Sequence, residues 1–315
     1  MAAPLRWIRH PRSEKTFFSN TLGANLCRLR DGWMRDIGSF DEGHKYWAAW
    51  FATTQAQHEA ATADPERPNF YTWTPLSSDS TISTTCPLWE TIMVAHAAAA
   101  IHISRVKSSD PFHKDNAAHY VRAGACYGRA ASASKEWTAV PSELRVSCLE
   151  CRDSTNRALE VLCESCGHAC VARSIGDGAQ SYQLWSNIYW ALCACRFTQS
   201  TSCSECGDSD MIEYDLATMK SLALFEACSR YARVVHSAGR FKESMALVRK
   251  AIDAADQLPR DLIPDEAFKA TEQTLGDYEH VLRTVLRIGP DSEMSFTDAL
   301  LPPKLPLPLT VVKFP

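Results

Sequence analysis

The stretch LATMKSLALFEACSRYARVVHSAGRFKESMALVRKAIDAADQL, residues 216–258, decides the fold. Apolar and small residues recur in it at three- and four-residue spacing: Leu222, Phe225, Ala227, Tyr231 and Val234, then Phe241, Met245, Val248, Ala251, Ile252 and Ala255. That period puts them on one face of each of two helices. Gly239 lies between the runs, where a helix ends readily in a left-handed residue, and Phe241 follows to pack beneath the turn. Such a hairpin cannot bury its apolar face alone and must stack on further helices.

The hairpin resembles the tetratricopeptide-like unit of helical arrays, which build binding surfaces. Outward from it the sequence predicts more helices. One covers 40–62 and carries Tyr46, Trp47, Trp50 and Phe51. Others cover about 87–106 and 115–137, the second with Ala117, Tyr120, Val121, Gly124, Ala125, Tyr127 and Gly128 on a close-packed face. A long helix opens at Pro141 and runs to Ile175, Gly176-Asp-Gly178 breaks it, and helix resumes over 182–197. The Ser/Gly/Asp-rich segment 199–210 is a loop, and a last helix covers 265–287. Phe70-Tyr-Thr-Trp73 suits a short extended piece packed on helices, and nothing longer reads as a strand. The class is all-α. Residues 1–38 read as an irregular N-terminal segment, 39–290 as the helical domain and 291–315 as a Pro-rich tail.

Composition narrows the function. The chain has 315 residues, 45% of them hydrophobic, and a formal charge of -4. With a pI near 6.2 it lacks the basic surface that nucleic acid demands. No apolar run is long enough to span a bilayer, and 1–11 lack the apolar core of a signal peptide. Ala2 stands where N-myristoylation needs glycine, and Val312-Lys-Phe-Pro315 offers no cysteine for prenylation, so no direct membrane anchor is expected. Thirteen cysteines without an export signal suggest free thiols in a reducing compartment, the cytoplasm.

Cys148-x-x-Cys151 with Cys163-x-x-Cys166 imitates a four-thiolate zinc site. On one continuous helix the two pairs would stand about 22 Å apart, too far for one metal. Leu144, Cys148, Cys151, Thr155, Leu159, Leu162, Cys166 and Cys170 instead trace a helical stripe, and free cysteine packs as a small hydrophobe. His168 falls off the stripe, as a surface residue would. Cys193, Cys195, Cys203 and Cys206 are the better zinc or redox candidates, since the second pair lies in a loop.

No catalytic signature emerges. His58-Glu-Ala-Ala-Thr62 lacks the second histidine of the helical zinc-protease motif. There is no Gly-x-Ser-x-Gly elbow, phosphate loop or Gly-x-Gly-x-x-Gly fingerprint, and Asp208-Ser-Asp210 is too short for a calcium loop. The sequence implies no enzyme and no cofactor.

Taken in order, the segments resemble the BRO domain family of ESCRT adaptors. The resemblance is carried by Phe70-Tyr-Thr-Trp73, Leu88-Trp-Glu90 through Ile103, and His119-Tyr-Val-Arg-Ala-Gly-Ala-Cys-Tyr127. It continues through the segment 162–175, the Gly239-Arg-Phe241-Lys-Glu-Ser hairpin and the tail with Phe296. It covers roughly 40–315. The chain departs from the family where cysteine, glycine and histidine replace a Gln-rich run in 162–175, and it is shorter than usual.

The resemblance implies an elongated, boomerang-shaped helical domain that binds a C-terminal helix of an ESCRT-III subunit in an apolar groove. Carried over, the groove positions are Cys170, Leu184 and Ile188, with a one-residue uncertainty in register at Gly176-Asp-Gly178. Leu184 and Ile188 share a helix face, as a groove wall or a core position would. Cys170 would leave a shallow pocket. The resemblance also implies that the Pro-rich tail packs back on the domain, the other reading being a polyproline ligand. The remaining functional alternatives are a generic tetratricopeptide-like scaffold for another peptide and the zinc or redox protein.

Overall fold

The structure, a computed structural model, describes residues 4, 5, 7–9, 11–13, 21–36, 39–63, 69–75, 77, 80–107, 109–138, 148–176, 179–197, 207–259, 262, 265–280 and 300–302. Within them the chain runs β1 (Arg12–Ser13), α1 (Thr21–Arg35), α2 (Phe40–Ala63), β2 (Tyr71–Thr74), β3 (Ile82–Thr84), α3 (Pro87–Ser104) and α4 (Ala117–Glu136). It continues with α5 (Asp153–Ile175), α6 (Ala179–Ala194), α7 (Gly207–Ser237), α8 (Phe241–Ala255) and α9 (Asp265–His280). Single 3-10 turns precede α4 (Lys114–Asn116) and α5 (Leu149–Cys151).

Each helix packs against the one that follows it, from α1 on α2 through to α8 on α9, and α5 also touches α7. This is the stacking that the 216–258 hairpin requires. Gly239 takes φ +78° between α7 and α8, and the Ser244 hydroxyl closes the hairpin by donating to the Ala232 carbonyl at 2.8 Å. Among the described residues the fold is all-α apart from a three-stranded antiparallel ribbon, order β1-β2-β3, in which Thr74 faces Arg12 and Trp73 faces Ile82. The segment Phe70–Trp73 thus becomes extended, as its alternating aromatics suggest.

The core centres on α3. Pro87 through Ile103 are all buried, so this helix is apolar on every side and needs neighbours all round. Trp33, Tyr46, Trp47 and Trp73 close one flank, with Trp33 5.7 Å from Tyr46 and 6.3 Å from Trp73. On the other flank α4 and α5 meet through glycines. A Cβ on Gly167 would lie 2.9 Å from Val121 Cγ2, and one on Gly124 only 3.2 Å from Glu164 Cγ. Small residues at these points set the depth of the α4–α5 contact.

Two sequence expectations need correction. The 1–38 segment is not wholly irregular, because α1 occupies Thr21–Arg35 and buries Leu26, Arg30 and Trp33 at helical spacing. Nor does one long helix reach Ile175. Cys148 and Arg152 are extended around the 3-10 turn, and α5 starts only at Asp153. A polar network holds the break: Asn156 Nδ2 donates to the Glu150 carbonyl at 2.8 Å and to Ser134 Oγ at 2.9 Å. The Glu150 carboxylate accepts from the Ser77 backbone N–H at 3.2 Å and from the Ser77 hydroxyl. The beginning of that expected helix, with Pro141 and Leu144, lies outside the described residues, as do the segments 281–287 and 303–315.

Candidate functional site

α5 carries the cysteine stripe and the first of the three positions that the family resemblance selects. Its inward face carries Thr155, Leu159, Leu162, Cys163, Cys166 and Cys170, all buried, so the cysteine stripe is core. Cys148 and Cys151 are buried too, on the turn before the helix. The separation argued for a single helix does not apply across the break, but among the described residues no group of three or more His, Cys, Asp or Glu could hold a metal. Cys193 and Cys195 are half-buried, and Cys203 and Cys206 lie outside the described residues.

Cys170 is fully buried and points at the segment before α4, where its thiol donates to the Pro111 carbonyl at 3.7 Å. Burial pushes this thiol up to about 12. The next residue faces the other way. Val171 is 40% exposed and Ile175, one turn on, is 41% exposed. Glu164 and His168 continue this outward line at helical spacing, both half-buried. Burial raises the Glu164 pKa, with help from Glu160, and lowers that of His168. His168 is therefore neither a core residue nor fully at the surface.

Gly176, at φ +74°, ends α5 and turns the chain into α6. The Ser181 hydroxyl then donates to the Ala172 carbonyl at 3.0 Å, fixing the first turn of α6 on the last turns of α5. On α6, Leu184 is partly buried and packs at the edge of the core, whereas Ile188 is only 1% exposed. Of the three positions the family likeness selects, Leu184 alone reaches the surface in this structure. At the end of α5 the exposed apolar side chains are Val171 and Ile175, beside the buried Cys170. Periodicity held this signal, since both valine and isoleucine fall off the buried stripe.

Behind this edge the helices are tied by charge. Arg173 lies over the Phe112 ring at 4.7 Å, donates to the Leu262 carbonyl at 3.0 Å and approaches Glu226 of α7 at 3.7 Å. Glu226 also pairs with Arg230, whose guanidinium lies 6.0 Å from the centre of the Trp185 ring. Tyr182 and Tyr231 pack 5.0 Å apart between α6 and α7. On the far side of α6, Ser186 and Trp190 both donate to the Pro302 carbonyl, at 2.9 and 3.2 Å, and Leu301 is buried. The helices that carry Val171, Ile175 and Leu184 are thus braced against their neighbours.

A second polar centre was not visible in the sequence. His96 Nε2 and Asn156 Oδ1 lie 2.7 Å apart, and the His96 ring meets Tyr127 edge-on at 5.1 Å. His96, Tyr127 and Glu150 border a cavity of about 20 Å³, which holds one water at most. Burial depresses the His96 pKa, against the nearby Glu150. Satisfied internally, this network reads as structural.

No sequence-family model matches the chain, and no curated protein sequence matches it. Solved structures do. One, described as the structural basis for endosomal targeting by the Bro1 domain, matches with a TM-score of 0.65 at 12% identity, over 96% of this chain and 93% of that one. ALIX bound to the SIVmac239 PYKEVTEDL late domain matches with a TM-score of 0.63 at 11% identity, over 93% of this chain and 44% of that longer one. The ALIX BRO1–CHMP4C complex matches with a TM-score of 0.55 at 11% identity, over 92% and 87%. The chain has the Bro1-domain fold.

Proposed function

We propose that this chain is a non-enzymatic adaptor of the Bro1 type, whose outer α5–α6 edge binds the C-terminal helix of an ESCRT-III subunit. The observation that carries the reading is the exposure of Val171 and Ile175 at the end of α5, with Leu184 at the start of α6. Two valine- and isoleucine-sized anchors one turn apart, with a partly exposed leucine on the next helix, suit an amphipathic helix. The shared fold supports it further, because an ALIX Bro1 domain of that fold is known in complex with CHMP4C. Cys170 and Ile188 contribute by shaping the core beneath the anchors.

In this reading the protein works in the cytoplasm and reaches endosomal membranes through its partners. Among the described residues no helix is long and apolar enough to cross a membrane. The test is fluorescence anisotropy with a labelled CHMP4C C-terminal helix. Wild type should bind in the micromolar range, and Val171→Asp and Leu184→Asp should each weaken binding at least about ten-fold, as loss of a central apolar anchor does. Absence of binding by folded wild type, or binding indifferent to both variants, would overturn the proposal.

A further inference from the structure

At the C-terminal end of α3, where α2, α3 and α4 converge, basic side chains gather. His102 is buried, and its ring lies 6.0 Å from that of His119 on α4. From α2, Phe40 and Trp47 pack on the same imidazole at 5.5 and 6.1 Å. His44 stacks on Phe40 at 5.8 Å, and Arg105 covers the Phe40 ring at 4.3 Å. Arg122 stands on α4, three residues beyond His119. Arg105 and Arg122 are both exposed, while His44 and His119 are half-buried.

Two independent features mark this cluster as incomplete. Nδ1 of His102 and Nδ1 of His119 are both buried and have no hydrogen-bond partner. Unspent buried polar atoms are uncommon and call for a reason. In addition, Asp115, the acid nearest His119 in sequence, sits on the 3-10 turn before α4 and is already engaged by Lys107 at 3.1 Å and by His113 at 3.4 Å. Arg105 and His102 do complement the carbonyl end of α3. That account fails for His119, which sits in the first turn of α4, where the helix dipole disfavours positive charge.

We infer that Arg105, Arg122 and His119, backed by His102, form an anion site for a phosphomonoester carried on a lipid headgroup or a soluble molecule. A phosphomonoester brings negative charge and three acceptor oxygens to guanidiniums that offer only donors and to imidazoles whose Nδ1 is unpartnered. The guanidiniums supply charge-assisted hydrogen bonds from the exposed side. The imidazoles supply donors from the buried side. Burial first, and then the surrounding positive groups, hold both imidazoles below the usual histidine range, His102 at about 4. An arriving dianion reverses the second of these effects and so raises the imidazole pKa values. Among the described residues, the charged or titratable groups that act most on His102 and His119 are His44 from α2, Arg105 at the end of α3 and Arg122 from α4.

The test uses the full chain. Calorimetric titration with inositol hexakisphosphate is compared with co-sedimentation on phosphatidylcholine vesicles with and without phosphatidylinositol monophosphate. The Arg105→Gln/Arg122→Gln variant should lose affinity at least about ten-fold, because each guanidinium donates hydrogen bonds to a charged group. Lys135→Gln, at the opposite end of α4, is the control for general positive charge. Histidine side-chain NMR should show His119 shifting on titration and its pKa rising. Vesicle binding lost in the double variant identifies the headgroup as the source, and soluble binding alone identifies a free phosphate. No binding to either, or equal weakening by Lys135→Gln, overturns the inference, and so does a His119 resonance that stays put.

Discussion

Arg30 and Glu90 form an ion pair inside the core, Nε to Oε1 at 2.9 Å, with side chains 2% and 0% exposed. The Glu90 carboxylate also accepts from Tyr46 Oη and from Trp73 Nε1, both at 2.5 Å, while the Arg30 guanidinium lies 4.9 Å from the Trp73 ring centre. One carboxylate thereby ties α1, α2 and β2 to α3. Both charges lose water on folding, and only this dense set of partners compensates. Glu90→Ala should therefore cost about 3–5 kcal/mol, since it strands a buried guanidinium. Urea unfolding followed by tryptophan fluorescence checks this, and the double change Arg30→Met/Glu90→Ala should recover part of the loss.

Glycines separate backbone need from packing need. Gly167→Ala places a Cβ 2.9 Å from Val121 Cγ2 and should cost about 1–3 kcal/mol as overpacking between α4 and α5. Gly239→Ala meets no atom within 4 Å, yet its φ of +78° should cost about 1 kcal/mol. Gly276, inside α9, has neither constraint, so Gly276→Ala should stabilise by about 0.5–1 kcal/mol. Thermal melts of the three variants should rank them in that order.

These glycines also show how far the sequence could be read. Gly239 and Gly176 announce their turns because positive φ has a compositional mark. α1 stayed hidden because its buried face carries Arg30 between Leu26 and Trp33, and a charge on an apolar stripe disguises the period. The break before α5 was invisible for a different reason. No glycine or proline makes it; it depends on Ser77, Glu150 and Asn156, which are distant in sequence and meet only after folding. The basic cluster by His102 is tertiary in the same sense, drawing residues from α2, α3 and α4.

Acid should unfold this protein through its histidines. Desolvation by burial lowers the pKa of His96 and His102, the latter to about 4 from 6.5. The unfolded chain then binds protons first. The stability held by neutral His102 is complete above pH 6.5 and is lost as the pH falls toward about 4. For His102 the loss is on the order of 3 kcal/mol. His102→Phe should flatten the slope of unfolding free energy between pH 6.5 and pH 4. An unchanged slope would show that other groups dominate.

Val171 and Cys170 are neighbours in sequence that point to opposite environments, and this gives the sharpest check on the proposed edge. Cys170→Asp buries an uncompensated carboxylate against the Pro111 carbonyl and should cost about 4 kcal/mol or more. Val171→Asp replaces a side chain already 40% in water and should change stability by about 0.5 kcal/mol or less. Ile175→Asp, on the same outward line, should behave like Val171→Asp. Chemical unfolding separates these outcomes before any partner is added. A partner lost by the two folded variants then reports the surface, whereas loss with Cys170→Asp reports only the core. If Val171→Asp destabilises as severely as Cys170→Asp, the outward face of α5 is not free, and the binding edge must be sought elsewhere.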